Sequence, residues 1–204
     1  MTSPPRLILA SRSPRRAELL RRLGLDFEVV PATIDETYID HEMPADHAER
    51  LAREKASTIA ARYPDALVVG SDTIVILDSD VLGKPRDPAE AVVMLQRLAG
   101  RTHEVYTGVA VASPAGIASG LERVTVHFRW LDREECEAYV ATGEPLDKAG
   151  AYGIQGFGSA LVRSIEGDYF AVMGLPVVRL LALLNRTGWR YAYGEGLKPV
   201  ARVP

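Results

Sequence analysis

Cysteine is nearly absent from this chain. The single thiol, Cys136, excludes an internal disulfide and suits a reducing compartment. Its helix-like surroundings, Arg133 to Val140, point to a buried and inert side chain. Lysine is scarce too. Of 24 basic residues only Lys55, Lys84, Lys148 and Lys198 are lysines, so each asks for a reason. Neither sign of charge dominates. A net charge of −3, with no aromatic-basic stripe, gives no electrostatic case for nucleic acid or an anionic membrane. No apolar run reaches membrane-spanning length. Met1 to Arg6 lack the basic start and apolar stretch of a signal peptide, so a cytoplasmic protein is expected. His41, His47, His103 and His127 show no paired metal spacing, which with one cysteine argues against His/Cys ligation.

What is present is enough for a core. The 204 residues are 47% hydrophobic, which allows one substantial core or two small lobes. There is no internal repeat, low-complexity block or obvious linker. Apolar runs read as strands at Leu7 to Ala10, Asp26 to Val30 and Ala66 to Leu77, the last as a strand pair or one long strand. Val81 to Gly83 reads as a short returning strand. Helices are expected over Ala45 to Tyr63, from Asp87-Pro88 to Leu98, over Arg133 to Ala141 and over Val177 to Leu184. Arg101 to Ala112 and Ile117 to Leu131, joined by Ser113-Pro114-Ala115-Gly116, read as a long hairpin. Gly143 to Gly158 reads as a glycine-rich loop and Ala160 to Ile165 as a strand. Trp189 to Pro204 has no period, and its end reads as a poorly ordered tail. Alternating strands and helices give an α/β class, with a mixed twisted sheet carrying helices on its faces.

Chemistry begins near the N-terminus. Ser13 reads as a helix N-cap and Pro14 as the first helical residue, while Gly24 stops the helix. Arg15 and Arg16 then fall in the first turn, where the helix dipole disfavours cations. Two arginines beside free N–H groups, Ser11 and Ser13 make sense around an anion, and a phosphate is the usual one. The plainer alternative is that both arginines point into water.

Asp72 interrupts the most apolar run of the chain, Ala66 to Leu77. A carboxylate there must be paired, hydrogen-bonded or bound to metal. The alternative is a turn aspartate steadied by Ser71 and Thr73. Asp35-Glu36 lies in an early acidic loop; with Asp72 it could supply the hard oxygen ligands that Mg²⁺ or Mn²⁺ prefers. Lys84 stands in Gly83-Lys84-Pro85. Lys148 and Gln155 stand in Lys148 to Gly156, whose glycines let backbone N–H groups approach a ligand. Lys55, on a helix, reads as a surface residue unless that helix lines a cleft. Cations with backbone donors suggest a polyphosphate, and carboxylates suggest a metal and a base. Together they suit attack of water on a phosphoanhydride. Nothing in these residues names a nucleobase.

These motifs, in order, resemble the Maf family of nucleoside triphosphate pyrophosphatases, historically linked to septum formation. The resemblance rests on Ser11-Arg12-Ser13-Pro14-Arg15-Arg16, Asp35-Glu36, Gly70-Ser71-Asp72-Thr73, Gly83-Lys84-Pro85, Lys148 to Gly156 and Gly174-Leu175-Pro176. It covers about residues 7 to 188. It implies one Maf-like domain over 1–204, with a core of about 6–188 and a tail over 189–204. It implies two lobes around a central cleft, ITPase-like, and a divalent metal cofactor, Mg²⁺ or Mn²⁺. By this resemblance Asp72 is the proton acceptor, and Glu36 with Asp72 sits at the metal. Ser11, Ser13, Arg15, Arg16, Lys55, Thr73, Lys84, Lys148 and Gln155 bind substrate or support the site.

Arg15, Thr73 and Gln155 resemble the branch that acts on dTTP, UTP and related pyrimidine nucleotides. The branch acting on 7-methyl-GTP typically has an aromatic residue, glutamine and glutamate there. A neutral Gln155 amide both donates and accepts, which suits a pyrimidine edge. One departure stands out: Ala171 replaces the family's common asparagine before Val172-Met173-Gly174-Leu175-Pro176. The expected partner is the nucleoside triphosphate, with no nucleic acid and no membrane; a homodimer is the one assembly considered. The rival readings are a weakly catalytic nucleotide-binding regulator of septum formation and cell division, and the same chemistry on 7-methyl-GTP.

Overall fold

A computed structural model describes residues 5–200. In chain order its elements are β1 (Leu7–Leu9), α1 (Pro14–Arg22), β2 (Glu28–Val29), α2 (Pro44–Ala60), β3 (Leu67–Leu77), β4 (Asp80–Leu82), α3 (Pro88–Leu98), β5 (Thr102–Ser113), β6 (Gly116–Phe128), α4 (Arg133–Ala141), β7 (Val162–Glu166), α5 (Tyr169–Met173), α6 (Val177–Arg186), β8 (Trp189–Ala192) and β9 (Gly196–Pro199). Three short 3-10 turns occupy Glu144–Asp147, Ala149–Ala151 and Gly156–Ala160. The main sheet has the strand order β2-β1-β3-β5-β6-β7, with β4 beside β3. Parallel and antiparallel pairs both occur, so the mixed α/β class expected from the sequence is the one found.

The chain forms two compact units. The first takes Met1–Asp72, Thr107–Glu122 and Gly174–Pro204, and the second takes Thr73–Tyr106 and Arg123–Met173.

In the first unit β1 runs parallel to both β2 and β3, with Ile8 opposite Glu28 and Val68. The core joins Ile8, Val68, Ala110 and Ala112 to Ala52, Ala56 and Ile59 of α2. Small residues let α2 lie close on the sheet. A Cβ at Gly70 would fall 2.2 Å from Ala52 O, and one at Gly108 would fall 2.2 Å from Ala48 O. Glycine is the only residue that fits such an approach. Helix α6 buries Leu180, Leu183 and Leu184. After it, β8 and β9 form an antiparallel hairpin with Trp189 opposite Pro199. Tyr191 Oη donates to Leu23 O at 2.8 Å, which ties the hairpin to the end of α1. The tail expected from residue 189 onward is therefore structured through Pro199; residues 201–204 lie outside the described residues. Trp189, Tyr191, Leu197 and Pro199 share one face of this ribbon, but strands of four residues are too short for an alternating period to stand out in the sequence.

In the second unit β4 returns antiparallel to β3, with Val75 opposite Leu82, and β7 pairs antiparallel with β6. Leu95 and Leu98 of α3, Cys136 and Val140 of α4, Val126 and Phe128 of β6, and Tyr152 form the core. Asp87 caps α3 through Glu90 N at 2.8 Å, and Asp132 with Glu135 forms a full capping box on α4. Cys136 is fully buried, and burial pushes its thiol pKa up, in keeping with an inert role.

Candidate active site

The first unit assembles an ionic centre. Strand β3 is buried on both faces except at Thr73, so Asp72 enters a nearly dry environment at 8% exposure. It is part of one continuous strand, which removes the turn reading. Its partner comes from α2. Lys55 Nζ donates to Asp72 Oδ1 at 2.6 Å and reaches Glu36 Oε1 at 2.7 Å. Lys55 is itself only 8% exposed, which corrects the expectation of a surface lysine. The cause is packing: with Gly70 and Gly108 holding α2 against the sheet, the Lys55 stem reaches the Asp72 carboxylate. A charge so placed persists only when paired. Glu36 is more open, its side chain 58% exposed.

The N-terminal motif folds around Arg16. Ser13 Oγ accepts from Arg16 N at 3.5 Å, Pro14 takes the first helical position, and the first turn has no acidic residue. Gly24, at φ +67°, follows the helix as the sequence implied. Arg16 turns inward. Its Nε donates to Gly174 O at 2.7 Å and its Nη1 to Ser11 Oγ at 3.1 Å. Burial draws the guanidinium pKa below its ordinary value, Asp72 opposes that shift, Arg15 adds to it, and Glu36 again opposes. So Arg16, Asp72, Glu36 and Arg15 share one electrostatic neighbourhood. Ser71 Oγ lies within donating distance of both Gly108 O (2.8 Å) and Gly174 O (2.9 Å). The Gly174 carbonyl thus serves Arg16 and Ser71 together, which explains in physical terms why the Gly174-Leu175-Pro176 motif belongs with the N-terminal one. Arg15 stays half-buried beside them.

Two carboxylate oxygens, on Asp72 and Glu36, converge on one point, the Lys55 ammonium. Among the described residues no group of three or more His, Cys, Asp and Glu side chains is placed to hold a metal. Two hard oxygens suit a divalent cation that takes its remaining ligands from phosphate and water, as Mg²⁺ does. They do not suit a closed structural site.

The second unit carries Thr73, Lys84, Lys148 and Gln155. Thr73 follows Asp72 on β3 and is half-buried, and Lys84 is exposed. Gly150 N donates to Gly83 O at 3.0 Å, so the Lys84 and Lys148 segments lie side by side. Gly150 has φ +68°, and a Cβ there would sit 3.0 Å from Val75 Cγ1. Lys148 Nζ donates to Asp147 Oδ1 at 2.6 Å and to the Glu144 carbonyl. Gln155 is half-buried at the start of the last 3-10 turn.

Sequence reasoning missed two residues that hold this loop. Glu144 accepts from Tyr139 Oη (2.8 Å), Phe157 N (2.9 Å) and Gly158 N (3.0 Å). Burial would raise its pKa, but these donors and Lys148 hold the carboxyl below its ordinary value. His103, 2% exposed on β5, meets Tyr152 Oη at 2.7 Å through Nε2. Burial pushes the imidazole pKa down to about 4, so it is neutral near pH 7. Phe128 packs edge-on against both rings. His103 lies in an ordinary strand pattern, and Glu144, although it lies in the glycine-rich stretch, reads as a solvated loop acid. Ala171, where the family commonly has asparagine, lies fully buried in the apolar core of this unit. Nearby, Asp168 Oδ1 accepts from Phe170 N at 2.8 Å.

The family model described as Maf-like protein matches residues 6–187. A dTTP/UTP pyrophosphatase of Moorella thermoacetica is 56% identical over 88% of this chain and 93% of its own. One from Symbiobacterium thermophilum is 51% identical over 90% of this chain and 94% of its own. One from Bacillus cytotoxicus is 51% identical over 89% of this chain and 95% of its own. A family match across nearly the whole described chain, with relatives this similar, makes the protein a member of the Maf family.

Proposed function

We propose that this protein hydrolyses dTTP and UTP, and modified pyrimidine nucleotides of the same shape, to the nucleoside monophosphate and pyrophosphate. Relatives at half or more identity along almost the full chain, named dTTP/UTP pyrophosphatase, support the substrate class. The observation that carries the chemistry is the buried Asp72 carboxylate paired with Lys55 and Glu36. A strand this apolar tolerates a charge only with a task or a partner, and this one has a compensating cation and an open acidic neighbour.

Asp72 acts as proton acceptor. A water gives its proton to the carboxylate while its oxygen attacks the α-phosphorus in line. The bond from that phosphorus to the bridging oxygen breaks, and pyrophosphate leaves. Lys55 keeps Asp72 and Glu36 compensated and close together. Glu36 and Asp72 would hold a divalent cation, Mg²⁺ or Mn²⁺, which when bound supplies positive charge to polarise the triphosphate. Arg15, Lys84 and Lys148 bind phosphate charge. Arg16, Ser11 and Ser13 keep the start of α1 in shape for the same anion. Gln155 reads the pyrimidine edge through its amide. We place the protein in the cytoplasm, with the nucleotide as its partner. No helix among the described residues is long and apolar enough to cross a membrane.

Hydrolysis of UTP in ¹⁸O-water tests the bond cleaved. The expected products are labelled UMP and unlabelled pyrophosphate. Label in pyrophosphate, or UDP with phosphate as products, would overturn attack at the α-phosphorus.

A further inference from the structure

We propose that Glu144 is a positioning residue for base recognition, acting through the backbone that carries Gln155. The proposal rests on the reading of Gln155 as the residue that meets the base. Glu144 lies at the start of the glycine-rich stretch, and its two ends serve two different limbs of it. The carboxylate gathers the far limb: Phe157 N at 2.9 Å and Gly158 N at 3.0 Å both donate to it, and Tyr139 Oη donates at 2.8 Å. Its main-chain carbonyl takes the near limb, accepting from Lys148 Nζ.

The fit around the carboxylate is close. Gly156 has φ +64°, and a Cβ built on it would lie 2.3 Å from Glu144 Oε2. So the chain from Gly156 through Gly158, directly after Gln155, wraps around one carboxylate, and residue 156 must be glycine for both backbone and space. Tyr139 extends the same clamp upstream, because its Oη also accepts from Gly153 N at 3.1 Å. Gln155 is thereby held between two fixed points, Gly153 and Phe157, that share the Tyr139–Glu144 pair. Charge-assisted bonds to a carboxylate are short and directional, so they fix where the Gln155 amide is presented.

This division predicts separable effects. Changing the Glu144 side chain frees the Gln155 limb and leaves the carbonyl that holds Lys148 in place. In Glu144→Gln one terminal group becomes a donor and faces backbone N–H groups, while size is kept. The experiment measures kcat and KM for UTP and GTP, and inhibition by inorganic tripolyphosphate, which has no base. These are compared in the unmodified protein, Glu144→Gln and Gly156→Ala. The expected result is a fall of about tenfold or more in the UTP-over-GTP ratio of kcat/KM, through KM, with tripolyphosphate inhibition unchanged within about twofold. Gly156→Ala, which drives a Cβ into the same carboxylate, gives the same pattern and stands in should Glu144→Gln fail to fold. An unchanged ratio in a folded variant, or a parallel loss of tripolyphosphate binding, overturns the proposal. Absence of a UTP preference in the unmodified protein would instead overturn the reading of Gln155.

Discussion

Lys55 Nζ sits 2.6 Å from Asp72 Oδ1, and both side chains are almost withdrawn from water. That pair links a helix to the one interrupted position of an apolar strand. It accounts for the carboxylate's survival there, and it is the centre of the proposed chemistry.

Asp72→Asn keeps the shape and removes the proton acceptor. Turnover of UTP should fall by roughly 10² to 10⁴, the range of general-base catalysis. The variant should fold, because the amide oxygen still accepts from Lys55. Steady-state pyrophosphate release with a circular dichroism check reads both. Full turnover in a folded variant would remove Asp72 from its role.

Lys55→Met leaves Asp72 buried without its cation. Breaking one side of such a pair should cost about 3 kcal/mol in urea unfolding, along with nearly all turnover. Lys55→Arg, which keeps a cation on a longer stem, should recover part of the stability. A Lys55→Met protein as stable as the original would show that the pair is not a constraint on β3.

Gly108→Ala tests the close approach of α2. Its Cβ would meet Ala48 O at 2.2 Å, so the helix must shift. Overpacking of this kind typically costs about 1–3 kcal/mol, and backbone against backbone leaves little room to relax. Thermal melting should show the loss. Activity should drop at temperatures where the variant is still folded, since α2 also delivers Lys55.

His103 gives a pH signature. Its folded pKa is about 4, against 6.5 for the free side chain. As pH falls below 6.5 the unfolded chain takes up a proton that the folded protein refuses, so stability declines until the pH nears 4. The full effect is about 3 kcal/mol. It should be absent in His103→Phe, leaving a shallower pH dependence of unfolding across that window. Equal slopes in the two proteins would contradict a buried neutral imidazole.

Much of the fold was legible because the signals are local. Ser13-Pro14 and Asp87-Pro88 each mark a helix start by satisfying free N–H groups, and each start was found there. The long hairpin of β5 and β6 announced itself through β-branched runs around a Pro-Gly turn. The misses are tertiary. The pattern of α2 alone reads Lys55 as a surface residue, the family resemblance adds it to the site, and its burial follows from Gly70 and Gly108 drawing α2 onto the sheet. The five-residue helix Tyr169–Met173 is too short for a period, and so are the four-residue strands β8 and β9. Glu144 looks like any loop acid, and its importance lies in backbone donors that arrive from residues 157 and 158. The family resemblance names both Asp72 and Lys55, but only the structure shows that they pair.

The most direct test of the proposed activity is pyrophosphate release by the unmodified protein with Mg²⁺ or Mn²⁺. The substrates are dTTP, UTP, CTP, GTP and 7-methyl-GTP, compared by kcat/KM. Release concentrated on dTTP and UTP is the predicted result. Release from 7-methyl-GTP in their place, or nucleotide binding with no release from any of the five, would contradict it.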